Sequence, residues 1–240
     1  MNLIVDGNSL FAKWFFGFGN GLYGFYNGLA SLIGKYNPDE VHIAFDSPRN
    51  WRKGLWPEYK AGRPEKPDGW YDQLSHLKTA LAQSNHAIYE VDGYEGDDII
   101  AGLVAVLQPC VIFSEDKDVF QLIAPQVSVD RGNTLWTVST FESVYGIEPW
   151  QFPHLQSLMG DEVDNIPGVN GFGPKRSILL LKERTTLDGV YNDLPNGVWG
   201  QKLVLDKERA YLSLELATLK APKLDITLGF YSLEELRKRL

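Results

Sequence analysis

The chain predicts an α/β fold: a mostly parallel central sheet flanked by helices, followed by a region of helices alone. Three observations carry this. Short apolar or β-branched runs alternate with longer stretches of helical periodicity over residues 1–139. The runs are almost continuously apolar, as strands buried on both faces are. Several of them end in carboxylates, where parallel sheets gather their ligand sites.

In order, the expected strands are Leu3–Val5, Val41–Phe45, Ala87–Val91, Cys110–Phe113 and Gln126–Val129. The expected helices between them cover roughly Ser9–Lys35, Asp68–Gln83, Gly96–Leu107 and Lys117–Ile123. Tyr71, Leu74, Leu77, Lys78 and Leu81 recur at three and four, one face of a helix. From residue 140 only helices are expected: Thr140–Tyr145, Pro149–Met159, Pro174–Lys182, Lys202–Leu219 and Ser232–Arg239. No low-complexity linker divides the two parts, so residues 1–240 read as a single domain, a catalytic core over 1–139 and a helical region over 140–240.

With 240 residues, 44% hydrophobic and 22% charged, the chain is long and apolar enough for a substantial core. No run of eighteen apolar residues spans a membrane. The start MNLIVDGNSL lacks a basic n-region, so no signal peptide is expected. Cys110 is the one cysteine, which excludes disulfides and thiolate zinc sites and fits a reducing cytoplasm. The 31 acids exceed the 23 bases, giving a net charge of −8 that argues at first against a nucleic-acid partner.

The placement of the acids changes that reading. The first strand runs into Asp6, the second into Asp46, and the fourth into Glu115-Asp116-Lys117-Asp118. Glu95, Asp97 and Asp98 open the helix that begins at Gly96, where the helix dipole alone would favour them. Asp161 and Asp164 form a fifth group. Carboxylates cannot crowd unless cations neutralise them or some stay protonated. Oxygen donors without His or Cys point to Mg²⁺ or Mn²⁺ rather than zinc, and two such ions suit displacement at a phosphodiester. The four histidines have no ligand-like spacing. Asp6-Gly7-Asn8 lacks the paired aspartates of a dehalogenase-type phosphatase.

The segment Pro48–Pro67 is basic, with aromatics among its cations, and contains Arg49, Arg52, Tyr59, Lys60 and Arg63. It suits single-stranded nucleic acid, and it equally suits a proline-broken loop with buried tryptophans. After Asp164 the chain reads NIPGVNGFGPKRS, a glycine-rich turn entering a helix. Gly171, Gly173, Lys175 and Arg176 are candidates there for holding a duplex backbone through free amides and charge.

Taken together, IVDGNSL, AFDSPRNWRKGLWPEYKAGRPEKP, GYEGDDIIA, SEDKDVFQLI and GDEVDNIPGVNGFGPK occur in the order of a known family. The chain resembles the 5′→3′ exonuclease and flap endonuclease family, which includes the N-terminal nuclease domain of bacterial DNA polymerase I, phage relatives and short members such as exonuclease IX. The five motifs cover about residues 1–185. The resemblance implies a PIN/5′-nuclease-like sheet, a helical arch or gateway over about 47–85, and a helix–hairpin–helix-like element over about 157–185.

It implies as metal-binding acids Asp6, Asp46, Glu95, Asp97, Asp98, Asp116, Asp118, Asp161 and Asp164. Lys60 and Arg63 match the gateway's basic pair, and Lys13 stands where the family commonly has arginine, which loses the bidentate fork. Potassium ligands implied in the hairpin are the carbonyls of Leu158, Met159, Pro167, Val169 and Phe172. The implied activity is hydrolysis of DNA at 5′ flaps, nicks or free 5′ ends, leaving 5′-phosphate and 3′-hydroxyl ends, in replication and repair. RNA 5′ strands are a further substrate class. A monomer in a bacterial or phage-infected cytoplasm is expected, sharing intermediates with a polymerase or ligase. A DNA-structure-binding module of the same fold without catalysis is the alternative. The resemblance assigns no role to the glycine-rich stretch Gly17–Gly28. Outside the nine acids, 22 acids face 23 bases, so the negative charge is concentrated in the motifs.

Overall fold

The computed structural model describes residues 1–83 and 86–226. Its first half holds β1 (Asn2–Asp6), α1 (Gly7–Phe18), α2 (Gly21–Tyr36), β2 (Glu40–Ala44), α3 (Trp51–Leu55), α4 (Trp70–Ala82), β3 (Ala87–Tyr89), α5 (Gly96–Val104) and β4 (Cys110–Phe113). A 3₁₀ turn over Asp118–Leu122 leads to β5 (Val127–Arg131), β6 (Thr134–Trp136) and α6 (Val138–Tyr145). A second 3₁₀ turn, Pro149–Gln151, precedes α7 (Phe152–Met159), α8 (Pro174–Arg184), α9 (Leu187–Asn192), α10 (Val198–Leu205) and α11 (Lys207–Ala217).

The six strands lie in the order β3-β2-β1-β4-β5-β6, parallel except for the final β5–β6 pair. Chain direction across the sheet reverses between β1 and β4, the crevice where parallel sheets bind ligands. In β1 the side chains alternate. Leu3 and Val5 pack with α1, α2 and α4 on one face, and Ile4 joins α5 and the helical region on the other.

The expected helix over Ser9–Lys35 is two helices. Gly19 at φ 70° ends α1, and Asn20 caps α2 by accepting from the Tyr23 amide. Of the glycines that had no assigned role, Gly21, Gly24 and Gly28 form the seam between the pair. A Cβ at Gly24 would lie 2.3 Å from Trp14 Cβ, and one at Gly21 would lie 2.2 Å from the Phe11 ring. Gly34, on the same helix, faces open space. Gly24→Ala is therefore expected to lose about 1–3 kcal/mol through overpacking, while Gly34→Ala gains up to about 1 kcal/mol of helix propensity. Denaturant midpoints of the two variants check this opposition of sign.

Other differences have local causes. The expected helix over Lys117–Ile123 is one 3₁₀ turn, and Lys202–Leu219 divides into α10 and α11 at Asp206. The helix expected over Ser232–Arg239 lies outside the described residues. Strand β6 was not expected, although Gly132 and Asn133, at φ 59° and 64°, make the two-residue turn that its hairpin requires. The implied arch begins with only the five residues of α3, then turns through 57–62 and runs irregularly to α4.

Candidate active site

The register of the sheet assembles the acids. Asp6 pairs opposite Ala44, one residue short of Phe45-Asp46, and Val5 pairs opposite Phe113, so Ser114 comes beside Asp6. Asp6 accepts from the Ser9 amide at 2.9 Å, the Ser9 hydroxyl at 2.6 Å and the Ser114 hydroxyl at 2.6 Å. Asp46 accepts from the Gly96 amide at 2.7 Å, tying the end of β2 to the start of α5. Asn8 accepts from the Asp46 amide at 2.9 Å, fixing that turn from the other side.

Asp6, Asp46, Glu95, Asp97 and Asp116 line one cleft of about 420 Å³ with Lys53, Lys60, Arg63 and Lys66. A neighbouring recess of about 310 Å³ is lined by Asp116, Asp161, Asp164, Glu115, Lys117, Arg131 and Arg63. Asp118 is buried behind them; its Oδ1 accepts from Gln156 Nε2 at 2.7 Å. Gln156 also reaches Asp161 at 3.4 Å, bridging two acid groups that are distant in sequence.

Burial, helped by repulsion from Asp116, Asp6 and Asp118, holds the Asp97 carboxyl well above its ordinary range. Burial and then repulsion from Asp116 and Asp164 do the same to Asp118. Asp46 is raised by burial and by Glu95. Burial pushes Asp6 up to about 6, even though three donors oppose it. Glu95 is the opposite case: burial is outweighed by Lys60 and Arg52, and its carboxyl is held below the ordinary range.

This is more negative charge than the cleft can hold in water-poor surroundings, and all the donors are hard oxygen. The donor set fits a divalent cation of the Mg²⁺ or Mn²⁺ kind. Among the described residues no three acids stand close enough together to hold an ion as they are. Internal cations occupy several of them: Lys60 pairs with Glu95, Arg63 with Asp164, and Lys117 with Asp161.

A pH dependence follows from the raised carboxyls. The stability carried by protonated Asp6 is complete below about pH 4 and is lost as pH rises through about 6, a loss of about 3 kcal/mol. In EDTA the melting temperature is expected to fall between pH 5 and 7, and Mn²⁺ at pH 7 to restore it. Calorimetric scans with and without Mn²⁺ check both.

Three sequence assignments are corrected by packing. Asp98 does not face the cleft. It is fully buried, holding Arg52 in a two-bond pair at 2.7 and 2.9 Å and accepting from Trp51 Nε1 at 3.1 Å. Arg52 is only 2% exposed and also donates to Glu95 and to the carbonyls of Leu216 and Thr218, so it is a buried tie and not a contact for DNA. Tyr59 is 2% exposed, with its hydroxyl donating to Glu95 at 2.9 Å and Asp164 at 3.3 Å, and its ring is closed to stacking. Arg49 is exposed but paired with Asp92, and Lys13 is paired with Glu115 at 2.8 Å.

The hairpin turns on a close backbone approach. A Cβ at Gly168 (φ 61°) would lie 2.3 Å from the Gly160 amide nitrogen, so glycine is required there. Ser213 Oγ accepts from the Gly168 amide at 2.9 Å, and Asp206 accepts from the Asn170 amide at 2.8 Å. Gly171, Gly173 and Lys175 are exposed at the tip. Arg176 lies 3.3 Å over the Trp199 ring and donates to the Gly171 carbonyl, so it braces the turn. Of the carbonyls implied for potassium, Leu158 accepts from the Val169 amide, Val169 from the Phe172 amide, and Pro167 from Arg209 at 3.4 Å.

Sequence reasoning passed over Asn8, Ser114, Lys117 and Gln156. The serine and lysine lie inside the SEDKD motif and were legible there. Gln156, on α7, carried no local signal.

Known proteins share the sequence pattern and the fold of this chain. Residues 1–146 match the model of the 5′-3′ exonuclease N-terminal resolvase-like domain, and 147–239 that of the 5′-3′ exonuclease C-terminal SAM fold. The chain is 34% identical to a DNA polymerase I of Caldicellulosiruptor bescii over 99% of its own length, but spans only 30% of that protein. It is 34% identical to a 5′-3′ exonuclease of Aquifex aeolicus, covering 78% of this chain and 71% of the relative. The fold is that of the T5 D15 protein co-crystallised with metal ions (TM-score 0.79, 23% identity, 92% and 90% of the two chains). It is also that of the Rad2 catalytic core in complex with DNA (TM-score 0.64, 18% identity, 99% and 85%). The chain belongs to the 5′-3′ exonuclease family.

Proposed function

We propose that this nuclease hydrolyses DNA phosphodiesters at 5′ flaps, nicks and free 5′ ends with Mg²⁺ or Mn²⁺, leaving 5′-phosphate and 3′-hydroxyl ends. The observation that carries the reading is the meeting of strand-end acids with Lys60 and Arg63 across one cleft. Asp6, Asp46, Glu95, Asp97 and Asp116 are the acids placed to hold divalent ions there, with Asp118, Asp161 and Asp164 behind or beside them. When bound, such ions acidify a water nucleophile and stabilise charge at the leaving oxygen.

The chain's own groups do the rest. Ser9 and Ser114 fix the Asp6 carboxylate, and the Gly96 amide fixes that of Asp46. Lys60 and Arg63 offset charge gathering on the phosphate oxygens. Both keep their charge under burial because the acids outweigh desolvation. The hairpin tip, with Lys175 and the turn braced by Arg176, holds the duplex by its phosphates and reads no bases. Potassium at the carbonyls of Leu158, Met159, Pro167, Val169 and Phe172 belongs to the same proposal, since an accepting carbonyl keeps a second lone pair.

RNA 5′ strands are a second substrate class. The protein acts as a monomer on cytoplasmic DNA intermediates that a polymerase or ligase also uses. No helix among the described residues is long and apolar enough to cross a membrane.

Product mapping with Mg²⁺ on a labelled 5′-flap duplex, a nicked duplex and a blunt duplex tests the reading. Cleavage at or next to the flap junction, leaving a ligatable 5′-phosphate, is expected. Binding without any product in either metal would contradict it.

A further inference from the structure

Lys60 and Arg63 line the acid cleft and Lys117 the recess beside it; Lys60 pairs with Glu95 and more distantly with Asp164, Arg63 with Asp164, and Lys117 with Asp161. Sequence motifs single out the first two; Lys117 has no assigned role. Its Nζ lies 2.8 Å from Asp161 Oδ2, with its side chain 33% exposed and that of Asp161 only 4%.

The two partners differ in freedom. Asp161 is fixed: its Oδ1 accepts from the Val163 amide at 3.0 Å, and Gln156 reaches its Oδ2. Its backbone is bridged to Ile166 in both directions. Lys117 is a flexible stem at the rim of a recess shared with Arg63 and Arg131. A stronger cation arriving at Asp161 therefore displaces the lysine and not the carboxylate. The freed ammonium stays at the mouth of a recess that Arg63 and Arg131 also line, where an incoming phosphate is the anion it can take next.

We propose that Lys117 is a third phosphate-contacting cation of this nuclease, held on Asp161 until a divalent ion takes that carboxylate. This rests on the metal-dependent reading above. Lys60 on Glu95 and Arg63 on Asp164 follow the same exchange. Metal and DNA then favour one another by equal factors, because each removes a competitor of the other.

The test measures Mn²⁺ binding by calorimetry without DNA, and flap-duplex binding in Ca²⁺ by anisotropy. The proteins are the wild type, Lys117→Met, Lys117→Arg and Lys66→Met. Lys66 is the control for charge alone, since it lines the cleft over Trp70 and pairs with no acid among the described residues. Lys117→Met is expected to bind Mn²⁺ about fivefold tighter, and Lys66→Met to change less than about twofold. The same Lys117→Met is expected to bind DNA about fivefold more weakly, with its salt slope reduced by about one. Lys117→Arg should recover the DNA affinity.

Unchanged or weaker Mn²⁺ binding in Lys117→Met overturns the proposal, as does tighter Mn²⁺ binding with unaltered DNA affinity. Equal tightening in Lys66→Met also overturns it, reducing the effect to net charge. Failure of the wild type to bind Mn²⁺ is a different result, and it would remove the nuclease mechanism itself.

Discussion

Asp97→Asn is expected to abolish cleavage while making the metal-free protein more stable. Asp97 lines the cleft, and among the described residues its carboxylate accepts no hydrogen bond. Its carboxyl is raised by burial and by repulsion from Asp116, Asp6 and Asp118. An amide of the same shape removes that repulsion, so melting in EDTA at pH 7.5 should rise by a few degrees, on the order of 1 kcal/mol. The same change removes a charge that would hold a divalent ion. Loss of several kcal/mol of transition-state stabilisation lowers the rate by about a thousandfold or more. Duplex binding through the hairpin should survive. In Mn²⁺ the order of stability reverses, because the wild type gains more from the ion. Melting in EDTA and in Mn²⁺, with single-turnover cleavage, checks all three statements.

Arg52→Met should be the most damaging change to the fold. The guanidinium is 2% exposed and joins α3 to Asp98 and Glu95 at the start of α5, and to the Leu216 and Thr218 carbonyls at the end of α11. The Lys220 amide donates to Asp98 at 2.8 Å, so the same pair fastens the chain beyond α11 across the core. Removing the arginine leaves Asp98 charged and sealed from water, a loss of about 3–5 kcal/mol. For a chain of this length that lowers the melting temperature by about 10 °C. Arg52→Lys keeps the charge without the fork and should recover only part of it. Thermal and urea unfolding of the two variants measure the difference.

The strand ends were the most legible part of the sequence. Asp6, Asp46 and Asp116 follow apolar runs whose parallel pairing leaves no other place for them than one edge of the sheet. Local spacing could not show which acids of a motif face the cleft. Asp97 and Asp98 are adjacent on one helix turn, yet one lines the cleft and the other is sealed behind it by Arg52, 46 residues earlier in the chain. Tyr59 and Arg52 misled for a related reason. A basic aromatic segment reads alike whether its rings stack on bases or close over carboxylates, and burial alone separates the two. The glycines of α2 have no explanation in one dimension; the partners that explain Gly21, Gly24 and Gly28, Phe11 and Trp14, are on the preceding helix. Gln156 links Asp118 to Asp161 through a contact made only once α7 is docked.

Acids from β1, β2, β4 and α5 are proposed to hold divalent ions together at the scissile phosphate. Anomalous diffraction from crystals grown with Mn²⁺ and a 5′-flap duplex tests this most directly. Anomalous peaks are expected about 2.1 Å from carboxylate oxygens of Asp6, Asp46, Glu95, Asp97 or Asp116, with Asp98 still paired to Arg52. Peaks absent from this cleft, or found only on exposed surface acids, would contradict it.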